Sequence, residues 1–289
     1  MATATQRLLD RFYEELRQGP ADFCSLVAEE LPVITIGEWM HIPPKDYDLL
    51  RSLTHDQVHI QELFPSSSQL ALSDQATAQL RDYFDALIRE RRRSPGDDPI
   101  SSWLEAWDSV EADQASADQI VHALAIFMVL AALETTSHLL STVVYLLLED
   151  ADRFAWLRSH PDSVPGAVEE ALRYDAPIHM ISRVASTDRW LGGEFISQGQ
   201  MVQLMIGASH HDPDHYLDPQ KFDPRRGAQH LAFGTGAHYC LGNALARMEA
   251  CVLLEGLLRL PGRLRMSAPP LWEPRVAFRR MVTLPLALT

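Results

Sequence analysis

Cysteine is scarce in this chain of 289 residues, which carries only Cys24, Cys240 and Cys251. They are odd in number and widely spaced, so neither a disulfide framework nor a zinc knuckle can be read from them, and a reducing compartment fits. The N-terminal stretch MATATQRLLDRFYEEL lacks the basic-then-apolar order of a secretion signal. Internal repeats and low-complexity tracts are absent as well. The longest apolar run, residues 123–148, is broken by Glu134, Thr135, Thr136, Ser137 and His138, a cluster that a membrane span rarely carries at its centre. These absences predict a cytoplasmic protein with no membrane span. Positive charge is also in deficit: 25 Lys and Arg stand against 39 Asp and Glu, a net charge of −14. Such a chain repels phosphate backbones, which argues against nucleic acid as a partner. What is there is ordinary for a globular fold, with 46% apolar and 22% charged residues.

The first 175 or so residues read as helical. Leu8, Leu9, Phe12 and Leu16 share one face of a helix over 3–18. Residues 22–40 suit a buried helix interrupted at Pro32, and Pro43-Pro44 opens the next one, since proline suits a first turn. Residues 73–93 keep helical spacing and end in Arg91-Arg92-Arg93. That run is either a solvated helix end facing the negative dipole terminus or a partner surface. The longest periodic segment, 116–149, starts after Ser116 as cap and would cross a domain from side to side. A further helix over 161–174 stops before Pro177. Short strands are expected over 182–203 around Gly192-Gly193 and Gly199. Residues 209–236, rich in Pro, Asp, Gly and His, read as a long ordered loop of the kind that is often functional. A helix over 243–259 follows, then short strands from Pro261. His210, His211, His215 and Asp212 form a histidine-rich group, but Pro213 disrupts the helix that would align His211 and His215 on one metal.

The most informative stretch runs from His230 to Gly242, HLAFGTGAHYCLG. Glycines surround one cysteine just ahead of a helix. Glycine lets the backbone turn sharply and approach another group closely. A cysteine at a helix start sits among unpaired N–H groups, which stabilise a thiolate, and a thiolate is a strong ligand for heme iron. By itself a buried cysteine is more often a small core residue.

This stretch resembles the heme loop of the cytochrome P450 family, F-G-x-G-x-[H/R]-x-C-x-G, at Phe233, Gly234, Gly236, His238, Cys240 and Gly242. The resemblance implies heme b with Cys240 as axial iron ligand, His238 near a propionate and Phe233 shielding the sulfur. Upstream, Glu170-Ala171-Leu172-Arg173 is similar to the family's E-x-x-R. Physically it is a pair three apart on a helix, which on a surface is worth little. Arg183 follows on an expected strand; the resemblance makes it a propionate ligand, and otherwise it is a solvated edge residue. On the long helix, Ala131-Ala132-Leu133-Glu134-Thr135-Thr136 is similar to [A/G]-G-x-[D/E]-T-[T/S]. The implied roles are room for dioxygen beside Ala131, a proton-relaying hydroxyl at Thr135, and Glu134 joining that relay to solvent. A threonine hydroxyl on a helix commonly bonds the carbonyl one turn back instead. Ala132 departs from the family's usual glycine, and His211 from its usual arginine.

The resemblance implies a mainly α fold with small β-sheets, one domain over 1–289: helical 1–180, a β/loop and heme-loop region 181–242, and a helix with short strands 243–289. It places the start of the sequence at the family's middle helices. Most of the main sheet, the substrate roof and a propionate-clamping helix are then expected to be missing. The implied activity is a heme-thiolate monooxygenase that hydroxylates or epoxidises a small hydrophobic, secondary-metabolite-like substrate. Electrons would come from a ferredoxin and its reductase, docked on a basic patch of Arg225, Arg226 and Arg247. The alternatives are a heme-poor accessory protein that activates a partner such as a glycosyltransferase, and an inactive truncated relative.

Overall fold

The structure is a computed structural model that describes residues 1–289 apart from Ala112 and Ala228. Helix α1 (Ala2–Gln18) forms on the expected apolar stripe and buries Leu8, Leu9, Phe12 and Leu16. A two-residue strand, β1 (Ala21–Asp22), follows. Residues 22–40 differ from the single interrupted helix expected there. One π-turn, Cys24–Ala28, precedes α2 (Glu30–Trp39). The break therefore falls at Glu29, and Pro32 sits inside the first turn of α2, where its missing N–H costs nothing.

Helix α3 (Tyr47–Gln57) is entered through a 3-10 turn at Pro44–Asp46. Helix α4 (Ser67–Arg93) starts earlier than its periodicity suggests, because Ser66 and Gln69 close a capping box. Two of its three terminal arginines turn inward, Arg91 pairing with Asp98 at 3.0 Å and Arg92 with Asp108 and Asp118, while Arg93 stays exposed. These partners are the N-cap and the last residue of α5 (Pro99–Asp108) and a residue near the start of α6 (Gln114–Leu148). The cap of α6 is Asp113, not Ser116. The Asp113 carboxylate accepts from the N–H groups of Ala115 and Ser116 and from the Ser116 hydroxyl.

Helix α6 is 35 residues long and organises the rest. Its N-terminal half sends Val121, Ala125 and Val129 into a core shared with α2 to α5. Its C-terminal half sends Leu139, Val143 and Leu147 into a second core. That core is closed by α1, α7 (Ala151–Ser159), α8 (Val164–Tyr174) and a later helix. By length and composition alone α6 would pass as a membrane span, with mean hydropathy 1.8 over an 18-residue window. Here it is the helix on which both cores are built.

Beyond α8 the strands are short and antiparallel. β2 (Ile181–Val184) pairs with β5 (Met201–Leu204), and β3 (Arg189–Leu191) with β4 (Glu194–Ile196). A single turn of helix, α9 (Ile206–Ser209), leads into the long loop, and α10 (Asn243–Arg259) emerges from it. At the C-terminus β6 (Leu264–Met266), β7 (Leu271–Trp272), β8 (Met281–Thr283) and β9 (Pro285–Leu288) complete the fold. β9 lies between β1 and β6, and β7 pairs with β8. The mainly helical architecture with small sheets matches the expectation.

Candidate functional site

The cysteine loop is shaped by its glycines. Gly234 and Gly236 have φ of 69° and 73°, a region costly for any residue with a Cβ. These turns bring Cys240 N–H within 3.0 Å of the Phe233 carbonyl and fold Gly236–His238 into a 3-10 turn. The Asn243 side-chain amide donates to the Cys240 carbonyl at 2.7 Å, tying the loop to the start of α10. The helix-start effect on the thiol is weaker than expected. Burial raises the Cys240 thiol, the Gly242 N–H and the Arg247 charge work against burial, and the balance stays above the ordinary value. The reason is position: Cys240 lies ahead of the first turn of α10, so one N–H reaches the sulfur rather than several.

The loop is clamped to α8 by Glu169, a residue the motif reading passed over. Its carboxylate takes Arg247 at 2.6 and 2.9 Å and faces His230 Nε2 at 3.1 Å. Burial alone would raise this carboxyl; His230 and Arg247 outweigh it and bring it down to about 2. The Arg247 guanidinium also lies 4.4 Å from the Phe233 ring centroid, so both faces of the loop are braced. The only sequence signal for Glu169 is its place beside Glu170.

Glu170 and Arg173 are no surface pair. Arg173 is almost fully buried and donates to both Glu170 oxygens at 2.9 Å. It also donates to the carbonyls of His210, Pro219 and Lys221 at 2.8, 2.9 and 3.3 Å. Glu170 in turn accepts from Asp223 N–H at 2.9 Å and Arg226 Nε at 3.1 Å. The pair thereby holds the 209–226 loop against α8. The histidines of that loop also serve its shape. The buried His210 accepts from Leu231 N–H at 2.8 Å, and His211 Nε2 lies 2.9 Å from the Tyr174 carbonyl at the end of α8. Among the described residues no group of three His, Cys, Asp or Glu side chains is placed to hold a metal ion.

On α6 the two residues expected to act together face different surroundings. The Thr135 hydroxyl donates to the Ala131 carbonyl at 2.9 Å, so its proton is engaged within the helix and its lone pairs remain open. Glu134 does not lead to solvent. It is 1% exposed and is held by His55 Nδ1 at 2.7 Å, Arg275 Nη1 at 2.6 Å and His138 Nε2 at 3.3 Å. Burial works to raise its carboxyl, and the basic groups against it, His138 and His55 with Arg275, hold it well below the usual carboxylate range.

Arg183 lies exposed on β2, its Nη1 donating to the Ser182 carbonyl at 2.8 Å. His238 is likewise exposed. The expected patch of Arg225, Arg226 and Arg247 is not a free basic surface. Arg225 pairs with Asp223 at 2.9 Å, Arg226 with Glu170, and Arg247 with Glu169. Closeness in sequence placed these arginines together, but each meets a carboxylate within the fold.

The family model described as Cytochrome P450 matches residues 46–261. The chain is similar to Cytochrome P450 107B1 of Saccharopolyspora erythraea, with 34% identity over 98% of this chain and 68% of that one. It is similar to the Steroid C26-monooxygenase of Mycobacterium tuberculosis, with 32% identity over 93% of this chain and 71% of that protein. Among solved structures, P450BioI in complex with an acyl carrier protein superposes with a TM-score of 0.90 at 32% identity. That match covers 100% of this chain and 73% of the other.

Proposed function

This chain belongs to the cytochrome P450 family of oxidoreductases, and from that premise we propose that it is a heme-thiolate monooxygenase with Cys240 as the iron ligand. The observation that carries the reading is the cysteine loop. Positive-φ glycines, the Cys240 N–H to Phe233 carbonyl bond and a backbone N–H on the sulfur make a site for one thiolate ligand. The donor set fits the group: a half-buried thiol and two exposed polar side chains, Arg183 and His238, for propionates. Among the described residues neither Arg183 nor His238 lies in an ion pair.

When bound, the heme supplies activation of dioxygen. The chain's own residues do the rest. Cys240 gives up its proton on ligation, and the Gly242 N–H tempers how much charge its sulfur donates. Phe233, braced by Arg247, keeps water from the sulfur. On α6, Ala131 leaves space and the Thr135 oxygen offers a lone pair to a proton donor in that space. Glu134 supplies fixed negative charge beside it, not a route to solvent. The substrate in this reading is a small hydrophobic metabolite, and the electrons come from a ferredoxin and its reductase. Arg225, Arg226 and Arg247 each pair with a carboxylate of the chain, so they offer the ferredoxin little free positive charge. We read residues 1–289 as one cytoplasmic domain, since α6 contributes to both main cores.

The test is heme reconstitution of the chain followed by a carbon-monoxide difference spectrum of the reduced protein. The expected result is the red-shifted thiolate band for the natural chain and its loss in Cys240→Ser. A natural chain that takes up heme and shows only the band of a neutral axial ligand would overturn the assignment.

A further inference from the structure

The groups around Glu134 close into a ring. His55 Nδ1 meets Glu134 at 2.7 Å, and Glu134 meets Arg275 Nη1 at 2.6 Å. Arg275 Nε meets Glu273 at 3.1 Å, and Glu273 meets Arg280 Nη1 at 3.0 Å. Arg280 Nη2 meets Glu29 at 3.2 Å, and Glu29 returns to His55 Nε2 at 3.6 Å. Cations and anions alternate around all six positions. The members come from the start of α2, from α3, from α6 and from the loop joining β7 to β8. That loop is pinned separately, since Glu62 accepts from the N–H groups of Val276, Ala277 and Phe278 at 2.9, 3.0 and 3.2 Å.

The charge count is decisive. Glu29, Glu134 and Glu273 carry three negative charges, and Arg275 and Arg280 carry two positive ones that cannot be given up at any ordinary pH. The ring is neutral only when His55 carries a proton. An uncompensated charge among groups this buried is costly. We propose that His55 is a positioning residue: as an imidazolium it completes the ring that holds the Glu134 carboxylate, and with it the α6 segment bearing Thr135, and deprotonation releases α3 from that segment.

The carboxylates facing His55 favour this role and the nearby cations work against it. Glu134 and Glu29 lie on its two nitrogens, Arg280 opposes through Glu29, and His138 stands behind Glu134. On its own helix Arg51 is occupied by Glu30 and Asp48. Burial disfavours the charged ring of His55, but the hydrogen bond to Glu134 and the negative charge of nearby Glu29 more than reverse that and raise it above its ordinary value. His138 reaches one carboxylate, Glu134 at 3.3 Å, and burial holds it below its ordinary value, whereas His55 lies between two carboxylates. The functional consequence rests on the assignment of Thr135 to the oxygen side of the heme; the ring itself does not.

The experiment is a histidine-labelled NMR titration of the full chain. The expected result is a His55 imidazolium with a midpoint above 6.5, falling in Glu134→Gln as one of its two carboxylate neighbours is neutralised. A His55 that is neutral at pH 6.5, or a midpoint unmoved by Glu134→Gln, overturns the proposal. The second arm compares His55→Gln with His55→Lys in heme-loaded protein, reading the share of reductant that ends in product rather than hydrogen peroxide. Natural protein is expected to lose coupling as pH rises through the His55 midpoint. His55→Gln is expected to be poorly coupled throughout, and His55→Lys well coupled throughout. Equal coupling in His55→Gln and natural protein at a pH below the His55 midpoint also overturns the proposal. The titration needs no heme, so loss of the thiolate spectrum would sink the functional assignment without touching the ring.

Discussion

Replacing Arg173 by methionine is expected to be among the most damaging single changes outside the cysteine itself. The side chain is 1% exposed and makes two bonds to Glu170 and three to loop carbonyls. Breaking a buried ion pair from one side costs about 3–5 kcal/mol, because the partner charge stays buried without its counterion. Glu170 keeps Arg226 and the Asp223 N–H, which pulls the estimate toward the lower end. The three carbonyls pull it up again only in part, because water can replace the lost donor once the loop opens. A net loss of about 4 kcal/mol follows. The assay is the denaturant midpoint of the full chain, with hydrogen exchange followed over residues 210–226. The loop amides are expected to lose protection well before those of α6. The double variant Glu170→Gln with Arg173→Met is expected to recover part of the loss, since the Glu170 charge no longer stays buried without Arg173, while Arg226 keeps the carbonyls of Asp218 and Lys221. A single-variant loss below about 1 kcal/mol, or a double variant that costs the sum of its parts, would refute the reasoning.

Two further outcomes follow from close contacts and burial. A Cβ on Gly166 would lie 2.4 Å from the Pro224 carbonyl, so Gly166→Ala must push α8 away from the loop. A loss of about 1–3 kcal/mol in chemical denaturation, with weaker heme retention, is expected. Glu249 on α10 is 2% exposed, and burial pushes its carboxyl up to about 8. It is protonated in the folded chain while the unfolded chain ionises near 4.5. It therefore favours folding fully at low pH, and that contribution drains away as pH rises from about 4.5 to about 8. Glu249→Gln should match the natural chain in melting temperature at pH 4 and exceed it at pH 8; equal curves at both would show that the carboxyl is solvated.

His55 gives the same sign by a different route. Its folded value is raised, so its contribution is complete below 6.5 and is lost as pH rises through the folded midpoint. Melting temperatures of the natural chain should fall over that window, and those of His55→Lys should fall by less, leaving only the Glu249 share.

Local chemistry made part of this protein legible in its sequence. The cysteine loop could be read because its shape depends on glycines at fixed spacing, Gly234 and Gly236, which alone tolerate the left-handed turns found there. The stripe of α1 and the span of α10 were readable because helical periodicity is a property of neighbouring residues. Glu170 and Arg173 were visible as a pair, but their burial and their hold on the loop were not. Capping was a near miss, decided by whether Asp113 or Ser116 reached the first free N–H groups. The roles of Glu134, Arg226 and Arg247 came only with the tertiary structure. Charges are paired by distance in space, and the partners of Glu134 lie 79 and 141 residues away. A sequence shows which side chains carry charge. Only the fold decides which charges are buried against one another, which is why the glutamate read as a path to water is one member of a closed ring.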